Sequence, residues 1–234
     1  MNNNFNIDIY LDGPQIDELN QSNDENISGY TFNPSLFRSN QAENYIEHSK
    51  MILSKIQAKP VSLEVIADDF EEMISQAIKL DSLADNVYVK IPITNTKAEY
   101  TLPVLKELAK RDIKMNITAI FTLEQVVSII EEIKNTSSII SIFSGRLFDI
   151  GIDAVPITKE ISKFVHSSSK CKTLWASTRM VYDIFNAQKS ECDIITMPLS
   201  FVKKIALFEK SPEKYSLETV KMFYDDAVNA NYSI

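Results

Sequence analysis

Lys90 lies inside the apolar run Val87-Tyr88-Val89-Lys90-Ile91-Pro92, which has the composition of a short buried β-strand. Burial disfavours the ammonium form of a lysine side chain, and the neutral amine is the form that attacks carbonyl carbons. The alternative is a lysine at a strand end, whose stem packs while its ammonium group reaches water. This stretch alone is compatible with both interpretations.

Other polar residues share with Lys90 a position at or near the end of a predicted strand. They are Asp12, Asn33, Glu64, Asn116, Thr118, Ser141, Arg146, Ser177 and Arg179. A lysine amine, carboxylates and a hydroxyl can carry out a Schiff-base aldol reaction. The amine adds to a ketone, acid and base groups move protons, and the iminium accepts electrons as a carbon–carbon bond breaks. The two arginines suit a sugar phosphate, because guanidinium groups bind phosphate in a bidentate manner.

The elements that must position these residues alternate along the whole chain. Apolar runs predict eight strands, at 7–11, 27–32, 61–66, 86–94, 114–120, 138–143, 172–176 and 193–197, each followed by a helical segment. Eight βα units in about 210 residues predict an α/β fold of the (β/α)₈ TIM-barrel type, in which strand carboxyl ends share one mouth. A doubly wound open sheet is the alternative, but the chain has only four glycines and no Gly-rich phosphate loop.

We predict a catalytic barrel domain at residues 1–210 and a C-terminal helical extension at 211–234. Two segments of the barrel are less regular: residues 97–111 predict a helix with Pro103 awkwardly placed in its early part, and residues 147–155 predict a loop. The extension has an apolar face that needs a surface to cover, either its own barrel or a neighbouring subunit. That face consists of Leu217, Val220, Phe223 and Tyr224.

Composition limits the partners. The net charge of −8 and the lack of a basic stripe argue against nucleic acid. No apolar run approaches the roughly 20 residues of a membrane helix, and the first residues lack a signal-peptide pattern. Cys171 and Cys192 are too few for a disulfide framework and show no metal-ligand spacing, which suggests a reducing compartment. We therefore expect a cytoplasmic protein with no nucleic-acid or membrane partner and no metal.

Seven short motifs resemble, in order, the successive motifs of the transaldolase family. They are Asp12, Thr31-Phe32-Asn33-Pro34-Ser35-Leu36, Val61-Ser62-Leu63-Glu64-Val65, Val89-Lys90-Ile91-Pro92, Asn116-Ile117-Thr118-Ala119-Ile120-Phe121, Ser141-Ile142-Phe143-Ser144-Gly145-Arg146 and Ala176-Ser177-Thr178-Arg179. Together they extend over about residues 7 to 208, and each lies at a predicted strand end. The short chain resembles the small subfamily that also contains fructose-6-phosphate aldolases.

The resemblance implies catalytic roles for four residues. Lys90 is expected to form the Schiff base. Glu64 and Thr118 are expected to hold the water used when that imine forms and is hydrolysed. Asp12 is expected to act as acid and base on the hydroxyl next to the bond that breaks. No metal or organic cofactor is implied, because the lysine supplies the electron sink.

The resemblance also implies binding roles and an assembly. Asn33, Asn116 and Ser141 are expected to bind the dihydroxyacetone part, and Arg146, Ser177 and Arg179 the phosphate. Glu64 and Phe143 are typical of the transaldolase branch, since the aldolases tend to carry Gln and Tyr there. Small family members form ring-like oligomers in which the terminal helix contacts the next subunit, so we expect a homo-oligomer.

Several site residues also have purely structural interpretations. The alternative for Glu64 is a structural ion pair with Lys90, that for Asp12 is a helix cap, and that for Asn33 is a role in its turn alone. The alternative for Arg146 and Arg179 is a solvated position or a cap at a helix N-terminal loop, and that for Ser177 is a helix N-cap. Phe32 and Gly13-Pro14 depart from the family pattern beside site residues, where they would narrow the mouth or change the accepted sugar.

The combined prediction is a transaldolase that moves a dihydroxyacetone unit from a ketose phosphate to an aldose phosphate through a lysine Schiff base. The first alternative is a related aldolase that releases free dihydroxyacetone. The second is a non-catalytic barrel that binds sugar phosphates. Its expected signature is the loss of Lys90, Glu64 or Asp12, and all three are present.

Overall fold

The computed structural model describes residues 5–20 and 26–233, and its eight parallel strands close into a barrel in sequence order. The strands are β1 Asp8–Asp12, β2 Ile27–Thr31, β3 Val61–Glu64, β4 Val87–Pro92, β5 Met115–Ile120, β6 Ile139–Ile142, β7 Lys172–Trp175 and β8 Ile194–Met197. Each strand pairs with the next, and β8 pairs with β1. The predicted (β/α)₈ barrel is confirmed.

Helices alternate with these strands. They are α1 Pro34–Ser39, α2 Tyr45–Lys55, α3 Phe70–Asp81, α4 Leu102–Lys110, α5 Leu123–Val127, α6 Ile130–Ile133, α7 Ser144–Asp149, α8 Ala154–Ser168, α9 Asp183–Lys189, α10 Leu199–Lys204 and α11 Pro212–Asn229, with short 3₁₀ turns at Glu18–Asn20 and Ile205–Leu207. None of the helices in the described part of the chain meets the length and hydropathy needed to cross a bilayer.

The chain divides into two compact units, with the boundary between Leu199 and Ser200. The first unit contains all eight strands of the barrel. The second contains α11, whose N-cap Ser211 accepts a hydrogen bond from the Lys214 amide. The predicted domain boundary, with a catalytic domain at 1–210 and an extension at 211–234, stays a prediction.

Two local predictions were too long. The loop predicted at 147–155 is limited to residues 150–153, because α7 continues to Asp149 and α8 begins at Ala154, where Asp153 accepts a hydrogen bond from the Val155 amide. The helix predicted at 97–111 begins only at Leu102. Pro103 then lies in the first helical turn, where its missing N–H has no intrahelical partner to lose.

The alternation along β4 explains how the barrel presents its lysine. Val89 and Ile91 are fully buried on one face, and Tyr88 and Lys90 project from the opposite face, because successive strand residues point to opposite sides. Lys90 is in register with Glu64 on β3 and with Asn116 on β5. The three side chains therefore lie side by side inside the barrel.

A layer of apolar side chains inside the barrel lies mainly beneath the polar ones. Its members are Tyr10, Ile139, Leu174, Ala176 and Ile194, with Tyr88 and Phe143 packed against them. Gly29 makes room for this layer, since a Cβ there would lie 2.5 Å from the Tyr10 ring. Tyr10, Tyr88 and Ile139 each precede a polar site residue by two positions. The polar residues thus sit one step closer to the carboxyl ends of the strands, on an apolar floor.

Candidate active site

Lys90 is a buried amine between two oxygen atoms. Its Nζ lies 3.1 Å from Glu64 Oε2 and donates to the Phe32 carbonyl oxygen at 3.2 Å. The side chain of Lys90 is only 7% exposed. This burial contradicts the alternative of a solvated strand-end lysine. The ion pair with Glu64 is present, and it is also the geometry in which a carboxylate can take a proton from the amine.

Asp12 ends β1 and faces the same interior. Its Oδ1 accepts a hydrogen bond from the Thr31 hydroxyl at 2.8 Å. Burial raises the pKa of Asp12, while the nearby Lys90 charge and the Thr31 hydrogen bond lower it and the Glu64 charge raises it; burial is the largest of these effects. Asp12 therefore keeps its proton to higher pH than an ordinary aspartate, as suits a group that gives and takes protons. The hydrogen bond to Thr31, rather than to a helix amide, leaves the helix-cap alternative without support.

A buried hydrogen-bonded chain crosses the barrel beside Lys90. Asn116 Nδ2 donates to Ser62 Oγ at 3.0 Å, and Ser141 Oγ donates to Asn116 Oδ1 at 2.6 Å. All three residues are at most 2% exposed. This chain fixes the orientation of the Asn116 amide, so that its remaining N–H has one direction in which to donate.

Thr118 lies two residues beyond Asn116 on β5. Its Oγ1 is buried and has no hydrogen-bond partner among the described residues. A buried hydroxyl without a partner is costly, and such groups in native proteins commonly serve a bound molecule. This observation fits the expected role of Thr118 in holding a reacting water.

The region expected to bind phosphate contains two exposed arginines in different surroundings. The guanidinium of Arg146 lies 5.7 Å from the centroid of the Phe143 ring, which packs against Phe121. Arg179 is paired with Asp149 through both Nε, at 2.7 Å, and Nη2. Arg179 Nη1 also donates to the Ser177 carbonyl oxygen. Arg146 is thus the more available of the two, and Arg179 is held in a fixed orientation.

Gly145 and Ser177 are in very close backbone contact. The Gly145 amide donates to the Ala176 carbonyl at 3.2 Å, and a Cβ on Gly145 would lie 1.6 Å from the Ser177 carbonyl oxygen. Ser177 has a positive φ of 61°, a conformation that costs a non-glycine residue free energy. Ser177 is not the N-cap of the next helix, because α9 begins at Asp183.

We expect Gly145→Ala to lower the free energy of unfolding by about 1–3 kcal/mol or more, because the backbone at Ser177 must move to admit the new methyl group. Gly151→Ala is the matched control: its Cβ would meet nothing within 4 Å, although its φ of 78° adds some strain. Urea denaturation of both variants measures the difference. A Gly145→Ala variant as stable as Gly151→Ala would contradict the close contact.

Asn33 has a clear structural function. Its Oδ1 accepts a hydrogen bond from the Leu36 amide and so caps α1. This confirms the turn alternative for that oxygen, while substrate binding by Asn33 stays a prediction. Of the departures beside it, Phe32 is fully buried with its ring against Phe37, and its backbone carbonyl accepts a hydrogen bond from Lys90. Gly13 adopts a φ of 58° that favours glycine.

The prediction missed several residues that position the site. Ser62 and Thr31 lie on the interior faces of their strands, so the period-two alternation was a usable signal for both. Asp149, which holds Arg179, and Tyr45, on α2, had no such signal. Tyr45 Oη donates to the Glu64 carbonyl at 2.7 Å and accepts from the Glu64 amide at 3.0 Å.

Because one hydroxyl satisfies both backbone groups of Glu64, Tyr45→Phe should lower the free energy of unfolding by about 1–3 kcal/mol. The freed backbone should also let the Glu64 carboxylate move away from Lys90 and so lower kcat. Tyr224→Phe, at a residue that is 69% exposed, is the control. Denaturation and steady-state kinetics measure both effects. Equal stability and equal kcat in the two variants would show that this contact has no such role.

Comparison with solved structures shows the same fold in proteins of low sequence identity. Thiamine phosphate pyrophosphorylase from Pyrococcus furiosus superposes with a TM-score of 0.51 at 11% identity, covering 83% of this chain and 86% of that one. Inosine 5′-monophosphate dehydrogenase from Legionella pneumophila gives a TM-score of 0.55 at 13% identity, covering 82% of this chain and 58% of that one. At this identity the similarity shows the fold alone.

Comparison of sequences identifies the family. A protein described as a probable transaldolase from Thermoplasma volcanium is 32% identical over 209 residues, which cover 88% of this chain and 90% of that protein. Another, from Thermoanaerobacter sp., is 35% identical over 192 residues, covering 81% and 85%. The family model for transaldolase/fructose-6-phosphate aldolase matches residues 9–234. The chain belongs to the transaldolase/fructose-6-phosphate aldolase family.

Proposed function

We propose that this protein is a transaldolase with Lys90 as its Schiff-base residue. The observation that carries the proposal is a buried amine 3.1 Å from a carboxylate, in a barrel that also encloses Asp12. Covalent catalysis needs an amine that can lose a proton, a base to receive it and a separate group for the next proton transfer. Lys90, Glu64 and Asp12 supply these three parts.

The reaction begins at the Lys90 amine, which loses a proton to Glu64 and adds to the ketone carbon of a ketose phosphate. A second proton then moves from the nitrogen to the former ketone oxygen, which gives the carbinolamine. Loss of water gives an iminium, with Glu64 returning its proton to the departing hydroxyl group and Thr118 holding the water. Asp12 then takes the proton from the hydroxyl next to the scissile bond, whose electrons move into the iminium as the bond breaks. An aldose phosphate leaves, and a three-carbon enamine remains on Lys90.

The second half reverses these steps with another aldehyde. The enamine carbon attacks the carbonyl carbon of an aldose phosphate, and Asp12 returns its proton to the new hydroxyl oxygen. Water then hydrolyses the iminium with the help of Glu64 and Thr118, and the free amine is restored. The lysine supplies the electron sink throughout.

Binding of the retained three-carbon unit falls to Asn33, Asn116 and Ser141 in this proposal. The orientation imposed on the Asn116 amide by Ser62 and Ser141 supports its role, because a fixed donor loses little entropy when it binds a hydroxyl. Asn33 also contributes while it caps α1.

Phosphate binding is assigned to Arg146, Ser177 and Arg179. Helix α7, which carries Arg146, and the loop that carries Ser177 and Arg179 meet at the Gly145 contact, which supports a shared site. Arg146 has a guanidinium that stacks on Phe143 and is free to approach a phosphate oxygen. Arg179 contributes Nη1 and its charge, since Asp149 already accepts from its other edge.

The direct test is trapping by borohydride. Incubation with fructose 6-phosphate and sodium borohydride should add the mass of a reduced three-carbon adduct to the peptide that contains Lys90. Omission of either reagent is the control. Binding of fructose 6-phosphate by calorimetry without any trapped adduct would instead favour a non-catalytic sugar-phosphate-binding barrel.

A family aldolase is the second candidate, because the matching family model describes both activities. Glu64 and Phe143 support the transaldolase assignment, as the aldolases tend to carry Gln and Tyr at these positions. Product analysis separates the two. A transaldolase needs an aldose phosphate as acceptor for sustained turnover, whereas an aldolase releases free dihydroxyacetone from fructose 6-phosphate alone.

The same activity suggests a place in pentose phosphate type carbohydrate metabolism, and we infer a cytoplasmic homo-oligomer. The free, buried thiols of Cys171 and Cys192 support a reducing compartment.

Leu217, Val220 and Phe223 on α11 are more than half exposed, which supports contact with another copy. Light scattering of the intact chain and of Phe223→Glu tests the assembly. A monomeric wild-type protein would contradict the homo-oligomer. Cell fractionation tests the cytoplasmic location.

A further inference from the structure

Thr196 on β8 has a buried hydroxyl that reaches the acid–base group through one intermediate. Its Oγ1 lies 2.5 Å from Thr31 Oγ1, and Thr31 Oγ1 donates to Asp12 Oδ1 at 2.8 Å. Thr196 is 4% exposed and Thr31 is 3% exposed. β1 pairs with β8 on one side and with β2 on the other, so the two hydroxyls meet across the interior face of β1.

The number of protons on the two hydroxyl groups determines which group donates in each of these hydrogen bonds. Each threonine hydroxyl has one proton. When Thr31 donates its proton to the Asp12 carboxylate, the Thr31–Thr196 contact can be a hydrogen bond only if Thr196 donates. When Asp12 is protonated, its O–H can donate to Thr31, which then donates to Thr196. The pair of hydroxyls is thus compatible with both states of the carboxyl group.

We propose that Thr196 is a positioning residue for the acid–base step, because it holds the Thr31 hydroxyl against Asp12 in both protonation states of that carboxyl group. The inference rests on the proposed function, in which Asp12 must accept and return a proton within one turnover. Rotation of two hydroxyls accompanies each transfer, and no heavy atom has to move. A residue without a hydroxyl at position 196 would leave Thr31 free to turn away.

The charged surroundings of Asp12 give the expected sign of the effect. Lys90 from β4 and Glu64 from β3 are the charged groups that act on Asp12. β8 has no titratable residue, and the one on β2, Tyr30, is in register with Leu11 and so points away from the interior. The Thr31 hydrogen bond lowers the pKa of Asp12. Weakening this bond therefore raises the pKa further and delays formation of the carboxylate.

The test compares Thr196→Val, which has nearly the same shape, with Thr196→Ser, which keeps the hydroxyl. We expect Thr196→Val to lower kcat about tenfold with KM changed less than about twofold, the size of one lost hydrogen bond to a charged group. The acidic limb of its pH–rate profile should move to higher pH. Thr196→Ser should restore both the rate and the limb.

Thr178→Val is the matched control. Thr178 Oγ1 donates to the Thr196 carbonyl oxygen at 2.6 Å and is not part of the hydroxyl chain to Asp12. This variant also loses one buried threonine hydrogen bond beside β8, and its pH limb should stay where the wild-type limb lies. A shift of equal size in Thr178→Val and Thr196→Val, or no shift in Thr196→Val, would overturn the inference.

A second readout separates this inference from the proposed function. Carbon-13 NMR of labelled aspartate carboxyls follows the titration of Asp12, which is assigned by its loss in Asp12→Asn. The Asp12 midpoint should be higher in Thr196→Val than in wild type. If wild-type protein has no transfer activity, the proposed function fails and this midpoint alone decides the role of Thr196. An unchanged midpoint rejects that role.

Discussion

Replacement of Lys90 by methionine is expected to lower transfer activity by at least about 10³-fold, because its amine forms the covalent intermediate in the proposed reaction. Methionine has a similar length and suits a buried site. The variant should show no adduct after treatment with fructose 6-phosphate and borohydride. Mass spectrometry of the peptide and coupled rate assays measure the two losses.

Two control variants separate the loss of the nucleophile from other effects of the Lys90→Met substitution. Lys172→Met removes a lysine whose side chain is 56% exposed and should leave the adduct and the rate unchanged. Lys90→Met combined with Glu64→Gln also removes the carboxylate that the single variant leaves without its ion partner, and it guards against misfolding from an unpaired charge. A folded Lys90→Met protein that still transfers dihydroxyacetone would falsify the assignment of the nucleophile.

Asp12→Asn is expected to lower kcat by about 10²–10⁴-fold, the usual contribution of a positioned general acid–base group. The amide oxygen still accepts the Thr31 hydrogen bond, so the local structure should persist. Lys90 is unchanged in this variant, and the imine should still be trapped. Trapping without turnover is therefore the signature that distinguishes Asp12 from Lys90. Loss of both would show that Asp12 acts in imine formation instead.

The raised pKa of Asp12 also makes a prediction about stability. The folded state binds the proton more tightly than the unfolded state does. The associated stabilisation is fully present below the unfolded pKa, near 3.9, and is lost as pH rises through the higher folded pKa. The Asp12→Asn variant has no carboxyl group to deprotonate at this position, so it does not lose this stabilisation as pH rises. Its free energy of unfolding relative to that of wild type should therefore increase with pH. Denaturation at several pH values, with exposed Asp225→Asn as control, measures the trend.

The barrel and the central cluster could be predicted because both follow from local pattern. Period-two alternation and turn residues define the strands, and parallel strands bring their carboxyl ends together. Lys90 and Glu64 are each the one charged residue of an apolar strand, and Asp12 ends β1. Chain order alone then places the first two on neighbouring strands.

The contacts that could not be predicted depend on closure of the barrel and on which partner each side chain contacts. The Thr31–Thr196 contact joins residues 165 positions apart and exists only because β8 returns to β1. The sequence pattern does not reveal that Asp149 pairs with Arg179, since both are ordinary polar residues of exposed segments. Phe32 shows the same limit: its type suggested an obstacle at the mouth, while its ring packs behind the strand against Phe37.

The contact between Gly145 and Ser177 has a consequence for engineering of substrate scope. Helix α7, which carries Arg146, and the loop that carries Arg179 fit each other at a distance that admits only a glycine hydrogen. A graft of either segment from a relative with another sugar preference would bring a backbone shaped for a different partner. The two segments should be exchanged as a pair, and libraries that vary one of them should keep position 145 as glycine.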